Sequence, residues 1–183
     1  MRRTKIAITV ITALVMCFVF TACGETNLSG EPTAFQNSAK SFSIDLPSSG
    51  DDSWTVKEKT GKDVLDVTDK TGAVQVQVQG LSKTQTQAVA KSLKSYKEYA
   101  LENIFTKFNE AAGGSLTETE VDTPDFVKEC KAYSYEADGT KGIIAFMESP
   151  LCYYTILVTA TDEAYAGNED AIKAIFPTLK ESN

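Results

Sequence analysis

The sequence predicts a single α+β domain, in which an antiparallel sheet of about six to seven strands is sandwiched between a long helix and a short C-terminal helix. Short runs in the first half alternate between apolar and polar residues, as half-buried strands do. A helical spacing of three and four residues replaces this alternation from Gln85 to Ala112. Strand-like runs then return, and two of them are apolar on both faces, so the sheet needs cover above and below.

Length and composition exclude several classes of protein. The 183 residues allow one ordinary domain, and 42% hydrophobic with 23% charged residues is a globular balance. The chain contains no His, which excludes Ser-His-Asp triads, Cys-His dyads and His-ligated zinc sites. The sequence also lacks a phosphate-binding loop, a nucleophile elbow and zinc-ligand spacing. We therefore expect a protein that is not an enzyme and that has no cofactor or metal.

Residues 1–22 are typical of a lipoprotein signal peptide. A positive start precedes a stretch without charge from Ile6 to Ala22. The segment Phe20-Thr21-Ala22-Cys23 then resembles a bacterial lipobox, which implies cleavage before Cys23 and attachment of lipid to its sulfur. An uncleaved membrane anchor and an ordinary secreted product are the alternatives, but Phe20 is bulky where ordinary cleavage prefers a small residue. We expect a lipid-anchored protein at the cell membrane, facing outside the cytoplasm.

The mature chain is acidic. Cleavage before Cys23 removes Arg2, Arg3 and Lys5 and so changes the formal net charge from −7 to −10. A domain with this charge is a poor binder of nucleic acid and is repelled by anionic headgroups. The predicted membrane contact is therefore the lipid on Cys23.

A polar segment separates Cys23 from the predicted domain. Gly24 to Lys40 is rich in small and polar residues, which predicts a flexible tether that spans roughly 20–25 Å. Residues 23–40 are thus assigned to the lipidated Cys and the tether, and residues 41–183 to one folded domain. Deleting the tether is expected to leave the melting temperature nearly unchanged.

The first half of the domain contains four predicted strands, at 42–46, 54–56, 64–68 and 74–79. In the fourth strand, three Val residues alternate with Gln75, Gln77 and Gln79. The Gln side chains are interpreted as the polar face of a half-buried strand; the alternative is an exposed face that binds sugar hydroxyls.

One long helix is predicted after these strands. Its apolar positions recur at helical spacing and are Val89, Leu93, Tyr96, Ala100, Ile104 and Phe108. Gly113 and Gly114 end the pattern. The apolar stripe is wide, which favours packing on the sheet over packing on a single partner helix.

Four more strands and a short helix complete the prediction. The strands are Glu118 to Asp122, Glu129 to Tyr135, Ile143 to Met147 and Cys152 to Ala160. The segment Ala137-Asp138-Gly139-Thr140 is a strong hairpin signal between the second and third of these strands. The C-terminal helix is predicted to begin with Asn168 as its N-cap and to end near Phe176, before Pro177.

This order of elements resembles that of the PsbP-like family, whose fold is shared with a Ran-binding nuclear-import factor. The resemblance covers roughly Lys40 to Leu179 and depends on Phe42-Ser43-Ile44-Asp45-Leu46-Pro47, a Trp strand, a long helix and the last strand with Tyr153-Tyr154-Thr155-Ile156. A short helix that ends in Ile175-Phe176 completes the match. The resemblance implies a sheet between helices and a non-catalytic role in assisting or binding other proteins.

The thiols and the carboxylates are the remaining candidate sites. The hairpin register places Cys130 and Cys152 on either side of Met147, about 9–10 Å apart, so free thiols are favoured over a disulfide. Glu118, Glu120 and Asp122 on one side of a strand could bind a cation such as Ca²⁺, but a solvated edge strand is the preferred interpretation.

Four tyrosines are candidates for a glycan or peptide surface, with core packing as the preferred interpretation; they are Tyr133, Tyr135, Tyr153 and Tyr154.

Two functions remain open at this stage. The first is a membrane-anchored accessory or protein-binding module, whose partner is another extracytoplasmic protein. The alternative is a lipoprotein that binds a small ligand, a glycan or a cation, which would need a cleft of about 300–1,000 Å³.

Overall fold

A computed structural model describes residues 26–48, 54–57, 61–113 and 116–182 of the chain. The predicted signal peptide and Cys23 lie outside the described residues. Within those residues, no helix has the length and apolar character needed to cross a membrane.

The described residues form a seven-stranded antiparallel sheet and a smaller three-stranded sheet. The large sheet has the order β3-β4-β5-β9-β8-β7-β6, and the small one has the order β1-β2-β10. The strands are β1 (Gly30–Gln36), β2 (Phe42–Ser48), β3 (Trp54–Val56), β4 (Val64–Asp69), β5 (Val74–Ser82), β6 (Thr117–Thr119), β7 (Glu129–Ala137), β8 (Thr140–Glu148), β9 (Cys152–Thr161) and β10 (Lys180–Glu181). The predicted fold class, an antiparallel sheet between helices, is confirmed.

Helices cover both faces of the large sheet. They are α1 (Lys83–Thr86), α2 (Leu93–Asn103), α3 (Thr106–Ala111) and α4 (Asp162–Lys173), followed by a 3₁₀ helix at Phe176–Thr178. One face packs on α4 and the small sheet, and the other packs on α2 and α3. Strands β8 and β9 supply buried side chains to both hydrophobic clusters, as their two-sided apolar pattern predicted.

The predicted long helix is wrong as a single element, because two interruptions divide it. Ser92 accepts a hydrogen bond from the backbone N–H of Ser95 and so caps a new helix at Leu93. At the second interruption, Phe105 has φ −103° and ψ 36° and turns its ring into the core. Val89 is consequently exposed, while Phe108 remains buried on the sheet.

The C-terminal helix begins earlier than predicted. Thr161 is its N-cap and accepts a hydrogen bond from the backbone N–H of Ala164. Asn168, the predicted N-cap, lies at a kink inside α4 with φ −136° and ψ 21°. Its amide nitrogen donates to the carbonyl of Ala164 in α4, and its amide group also binds the N-terminal segment.

The prediction of a flexible tether up to Lys40 is also wrong for the part that the structure describes. Gly30–Gln36 forms β1 and pairs antiparallel with β2, with a register shift between Gly30 and Thr33. Leu28 is only 3% exposed and belongs to the hydrophobic cluster under α4. The folded region therefore begins before Ser41, because β1 covers an edge of β2 and Leu28 is buried in the cluster.

The hairpin between β7 and β8 is as predicted. Asp138 and Gly139 have φ values of 48° and 73°, the left-handed conformation that a two-residue hairpin turn requires. This turn places Cys130 opposite Met147 and Ala132 opposite Ala145. The register therefore fixes which side chains lie beside the edge strand β6.

Candidate functional site: a groove beside the edge strand

A groove lies between α4 and the outer strands β6 and β7, on the same face of the sheet as the small sheet. Its volume is about 820 Å³, and its lining residues are Glu118, Thr119, Glu120, Val121, Asp122, Cys130, Lys131, Ala132, Asp170, Lys173 and Ala174. A second cavity of about 380 Å³ shares Thr119 and Lys173 with the groove. We refer to the larger cavity as the edge groove.

The walls of the edge groove are charged, with an excess of carboxylates. Four carboxylates and two Lys side chains line it. Lys131 forms an exposed ion pair of 3.2 Å with Glu118, and Lys173 pairs at 2.7 Å with Glu169 just outside the groove. Both Lys residues thus have acidic partners, which leaves the acidic charge of Glu120, Asp122 and Asp170 along the groove.

The carboxylates do not form the cation site that the sequence left open. Strand β6 ends at Thr119, so Glu120 and Asp122 do not lie on the same strand as Glu118, contrary to the prediction. In the described part of the chain, no group of three Cys, Asp or Glu side chains is arranged to hold a metal ion. The position of Glu118 fits the preferred interpretation, a solvated edge strand, because β6 is the last strand in the order of the large sheet.

Cys130 lines the edge groove, and Cys152 lies at the start of β9. Both are half-buried free thiols. Burial raises the pKa of the Cys130 thiol from 9.0 to about 11, and burial also raises the pKa of Cys152. At neutral pH both side chains are therefore protonated, which makes them poor nucleophiles.

The predicted position of Cys130 is confirmed and that of Cys152 is wrong. Tyr154, and not Cys152, lies opposite Met147, while Cys152 pairs with Ser82. The turn between β8 and β9 lies one residue further along the chain than the sequence suggested, at Pro150 and Leu151, because the backbone N–H of Ser149 donates to the carbonyl of Cys152.

The Gln side chains of β5 do not form an exposed polar face. Gln77 and Gln79 are each 2% exposed, contrary to the prediction. Gln75 and Gln77 donate hydrogen bonds of 2.7 and 3.1 Å to the two carboxylate oxygens of Asp66, which is fully buried. These contacts stabilise a buried carboxylate, and they prevent the Gln side chains from binding sugar hydroxyls.

The same buried face contains two amide atoms without a hydrogen-bond partner among the described residues, Gln77 Oε1 and Gln79 Nε2. The buried hydroxyl groups of Tyr135 and Thr159 lie on this face too and interact with each other. Phe108 packs edge-on against the Tyr135 ring with 4.6 Å between the ring centroids. Gln77, Gln79, Tyr135 and Thr159 are each at most 6% exposed, so these polar groups are not available to a partner at the surface.

Three of the four candidate tyrosines, Tyr135, Tyr153 and Tyr154, are buried in the core, as the preferred interpretation predicted. Tyr133 is half-buried and packs against the cluster under α2 and α3. Tyr153 stacks on Tyr96 with 4.8 Å between the ring centroids. The Tyr154 hydroxyl donates to Glu181 at 2.8 Å, and the Tyr133 hydroxyl accepts from the Lys97 ammonium at 2.9 Å. Burial raises the pKa of Tyr154, so it remains a neutral phenol.

The sequence did not predict the edge groove. Its two walls are contributed by β6–β7 and by α4, and the lining residues of the two walls, 118–132 and 170–174, are separated by 37 residues of chain. Asp170 and Lys173 have ordinary helical spacing, and Thr119 is one Thr among several. Only the packing of α4 across the sheet brings them together, so no local motif indicates the site.

Comparison with known proteins gives the fold. No model of a protein family matches the chain, and no curated protein matches it either. The solution structure of cyanobacterial PsbP (CyanoP) from Synechocystis sp. PCC 6803 superimposes with a TM-score of 0.54, at 9% sequence identity, over 88% of this chain and 98% of that one. The chain has the PsbP-like fold.

A second solved structure is less similar. A crystal structure from Bacteroides thetaiotaomicron VPI-5482 has a TM-score of 0.47 and 11% identity, over 86% of this chain and 50% of that one. The PsbP-like fold is the fold that the resemblance implied. At this identity the similarity establishes the fold alone.

Proposed function

We propose that this chain is an extracytoplasmic lipoprotein, anchored to the cell membrane through Cys23, and that its PsbP-like domain is a non-catalytic accessory module that binds another extracytoplasmic protein. The edge groove is the observation that carries the proposal, because it adjoins the last strand of the sheet. A short edge strand beside a charged groove can accept an extended segment of a partner protein as an additional strand.

The charges of the groove indicate the kind of partner segment. Glu120, Asp122 and Asp170 form no ion pair among the described residues, so a partner segment with Lys or Arg side chains would complement them. The thiols support a non-catalytic role, since their raised pKa values leave little thiolate at neutral pH.

The anchor is tested by Cys23→Ala. We expect this variant to carry no lipid and to accumulate as unprocessed precursor, because the sulfur that carries the lipid is absent. Any chain that is still cleaved should leave the membrane fraction, because it has neither the acyl chains nor the apolar stretch Ile6 to Ala22. Cell fractionation with mass determination measures both effects. A variant that remains in membranes at the mature size contradicts the proposal.

The protein-binding role is tested by reversing charge in the edge groove. The double variant Glu120→Lys with Asp122→Lys is expected to lose a partner that the parent chain captures by crosslinking in membranes. Glu102→Lys is the matched control, because Glu102 is exposed on α2, away from the groove. Equal capture by both variants would place the contact elsewhere on the domain.

One observation supports the alternative, a ligand-binding lipoprotein: the volume of the edge groove lies within the range of about 300–1,000 Å³ for ligand pockets. A ligand at one hundred times its Kd would stabilise the fold by about 2.7 kcal/mol and raise the melting midpoint by about 5–10 °C. Thermal melts with Ca²⁺, with chelator and with simple sugars distinguish the functions, since the protein-binding proposal expects no shift.

A further inference from the structure

The N-terminal segment of the described chain is clamped onto α4 by one side chain. The Asn168 amide oxygen accepts a hydrogen bond of 2.7 Å from the backbone N–H of Leu28, and its amide nitrogen donates at 2.8 Å to the carbonyl of Thr26. The same nitrogen donates to the carbonyl of Ala164 at 2.9 Å. Asn168 is 7% exposed and Leu28 is 3% exposed, so this clamp is part of the packed interior.

Thr26 also binds the turn between β4 and β5. Its hydroxyl lies 3.2 Å from the carboxylate of Asp69 and 2.6 Å from the hydroxyl of Thr71. Thr26 is therefore fixed on the domain from two sides. Only three Cα-to-Cα steps separate it from Cys23, so the two Cα atoms lie at most about 11 Å apart, whatever conformation the intervening residues adopt.

Thr26 lies at one end of the large sheet, which we call the anchor pole. The pole comprises the β4–β5 turn at residues 70–72, the hairpin at 138–139 and the first turn of α4. Backbone hydrogen bonds from Thr161 to Ala73 and from Asp162 to Gly139 join these parts. The opposite end, the far pole, comprises α1 and the turn at 149–151, joined by the bond from Lys83 to Leu151.

We infer that the anchor pole faces the lipid headgroups and that the far pole points away from the membrane. The inference rests on the proposed lipidation of Cys23. The clamp replaces a long tether with a short connection, and β5 extends about 27 Å from one pole to the other. The membrane thus covers one particular end of the domain.

The anchor pole carries an excess of acidic side chains, which determines what can hold it at the membrane. Exposed Asp138, Asp162 and Glu163 outnumber the exposed Lys70 at this end. Anionic headgroups repel such a surface, so the covalent lipid and not the protein surface provides the attraction. The repulsion also keeps the acidic domain from lying flat on the bilayer.

Fluorescence quenching measures the orientation. The lipidated chain, with Cys130 and Cys152 replaced by Ser, receives one fluorophore at Lys70→Cys or at Leu151→Cys; both positions are exposed. Each labelled protein is reconstituted in vesicles with spin-labelled headgroups. We expect quenching at the anchor pole to exceed that at the far pole by about threefold or more, given the length of β5.

Two changes to the chain test whether the short connection between Cys23 and Thr26 causes this orientation. Insertion of about 20 Gly and Ser residues between Glu25 and Thr26, a span of roughly 25 Å, should remove most of the difference between the poles. Asn168→Ala should reduce the difference in part, because β1 still attaches the segment further along the chain. Asn103→Ala is the matched control, since Asn103 donates only to the Tyr99 carbonyl on the exposed side of α2.

The outcomes separate this inference from the proposed function. Mass determination first establishes whether Cys23 carries lipid, and an unmodified Cys23 overturns the anchor and the orientation together. Equal quenching at the two poles of a lipidated, vesicle-bound chain overturns the orientation alone. Vesicle binding by an unlipidated chain would show that the protein surface itself attracts the headgroups, contrary to the inference.

Discussion

The two thiols illustrate how burial determines the chemistry of single residues. Cys130 has Lys131 beside it, and that ammonium lowers the thiol pKa, but burial has the larger effect and raises it to about 11. The thiolate fraction at pH 8 is therefore about a hundredfold smaller than that of an unperturbed thiol. We therefore expect Cys130 to be a poor nucleophile at neutral pH, although it lines a charged groove.

This result leads to a prediction about both thiols. An alkylating agent added to the denatured, unreduced protein should label Cys130 and Cys152, because the two are free thiols in the structure. In the native protein, labelling of Cys130 should be slow at pH 8 and faster as the pH approaches 11. Mass spectrometry measures both. Absence of label without reductant would indicate a disulfide, the alternative that the sequence left open.

Phe108 tests whether the helical stripe belongs to the core. It is 1% exposed and packs against Tyr135, so Phe108→Ala should cost about 3–5 kcal/mol and lower the melting midpoint clearly. Lys107→Ala is the control, since Lys107 is exposed beside it. If the stripe were a docking face for a partner, the isolated domain would melt as before in both variants.

At the scale of elements, the helices begin and end where polar residues compete for the backbone. Ser82 and Ser92 each form a capping box, with Gln85 and Ser95 respectively. These caps start α1 and α2 and divide a pattern that has continuous helical spacing. Gly113, with φ 56°, ends α3 as the sequence predicted.

The N-terminal segment supplies the prediction at this scale. Deletion of residues 24–36 removes β1 and the burial of Leu28, so we now expect the melting midpoint to fall by on the order of 10 °C. The flexible-tether prediction expected almost no change. Differential scanning calorimetry of the deleted and parent chains decides between them, and an unchanged midpoint would show that the segment contributes no stability.

At the scale of the whole molecule, the two hydrophobic clusters are built on the same strands. Alternate residues of β8 and β9 belong to different clusters: Ile143 and Val158 lie on the α4 side, whereas Ile144 and Leu157 lie on the α2 side. Neither cluster can be disrupted without exposing the other face of the same strand. The domain should therefore unfold as one unit.

A chain that begins at Thr26 provides the test. It contains all members of both clusters, so it should melt in a single transition with equal calorimetric and van't Hoff enthalpies. Its midpoint should match that of the mature chain, because every member of the two clusters among the described residues lies at Leu28 or later in the chain. Two separated transitions would show that the small sheet or α4 unfolds independently.

The sequence by itself determined what depends on neighbouring residues. The turn at Asp138 and Gly139 needs only two residues that tolerate positive φ, and its position specified the β7–β8 register. Alternation in β5 identified the Val face that packs into the core. The two-sided apolar pattern of β8 and β9 required helices on both faces, which is why the fold class could be predicted.

Only the tertiary structure decided what depends on contacts between distant residues. Asn168 resembles a helix N-cap locally, yet it binds Leu28, which is 140 residues away in the chain. Gln77 and Gln79 have the pattern of a solvated face, but tertiary packing buries them, and Gln77 binds the buried carboxylate of Asp66. The edge groove likewise exists because α4 crosses the sheet beside β6. Such contacts form only when the chain closes on itself, and the local pattern of residues does not record them.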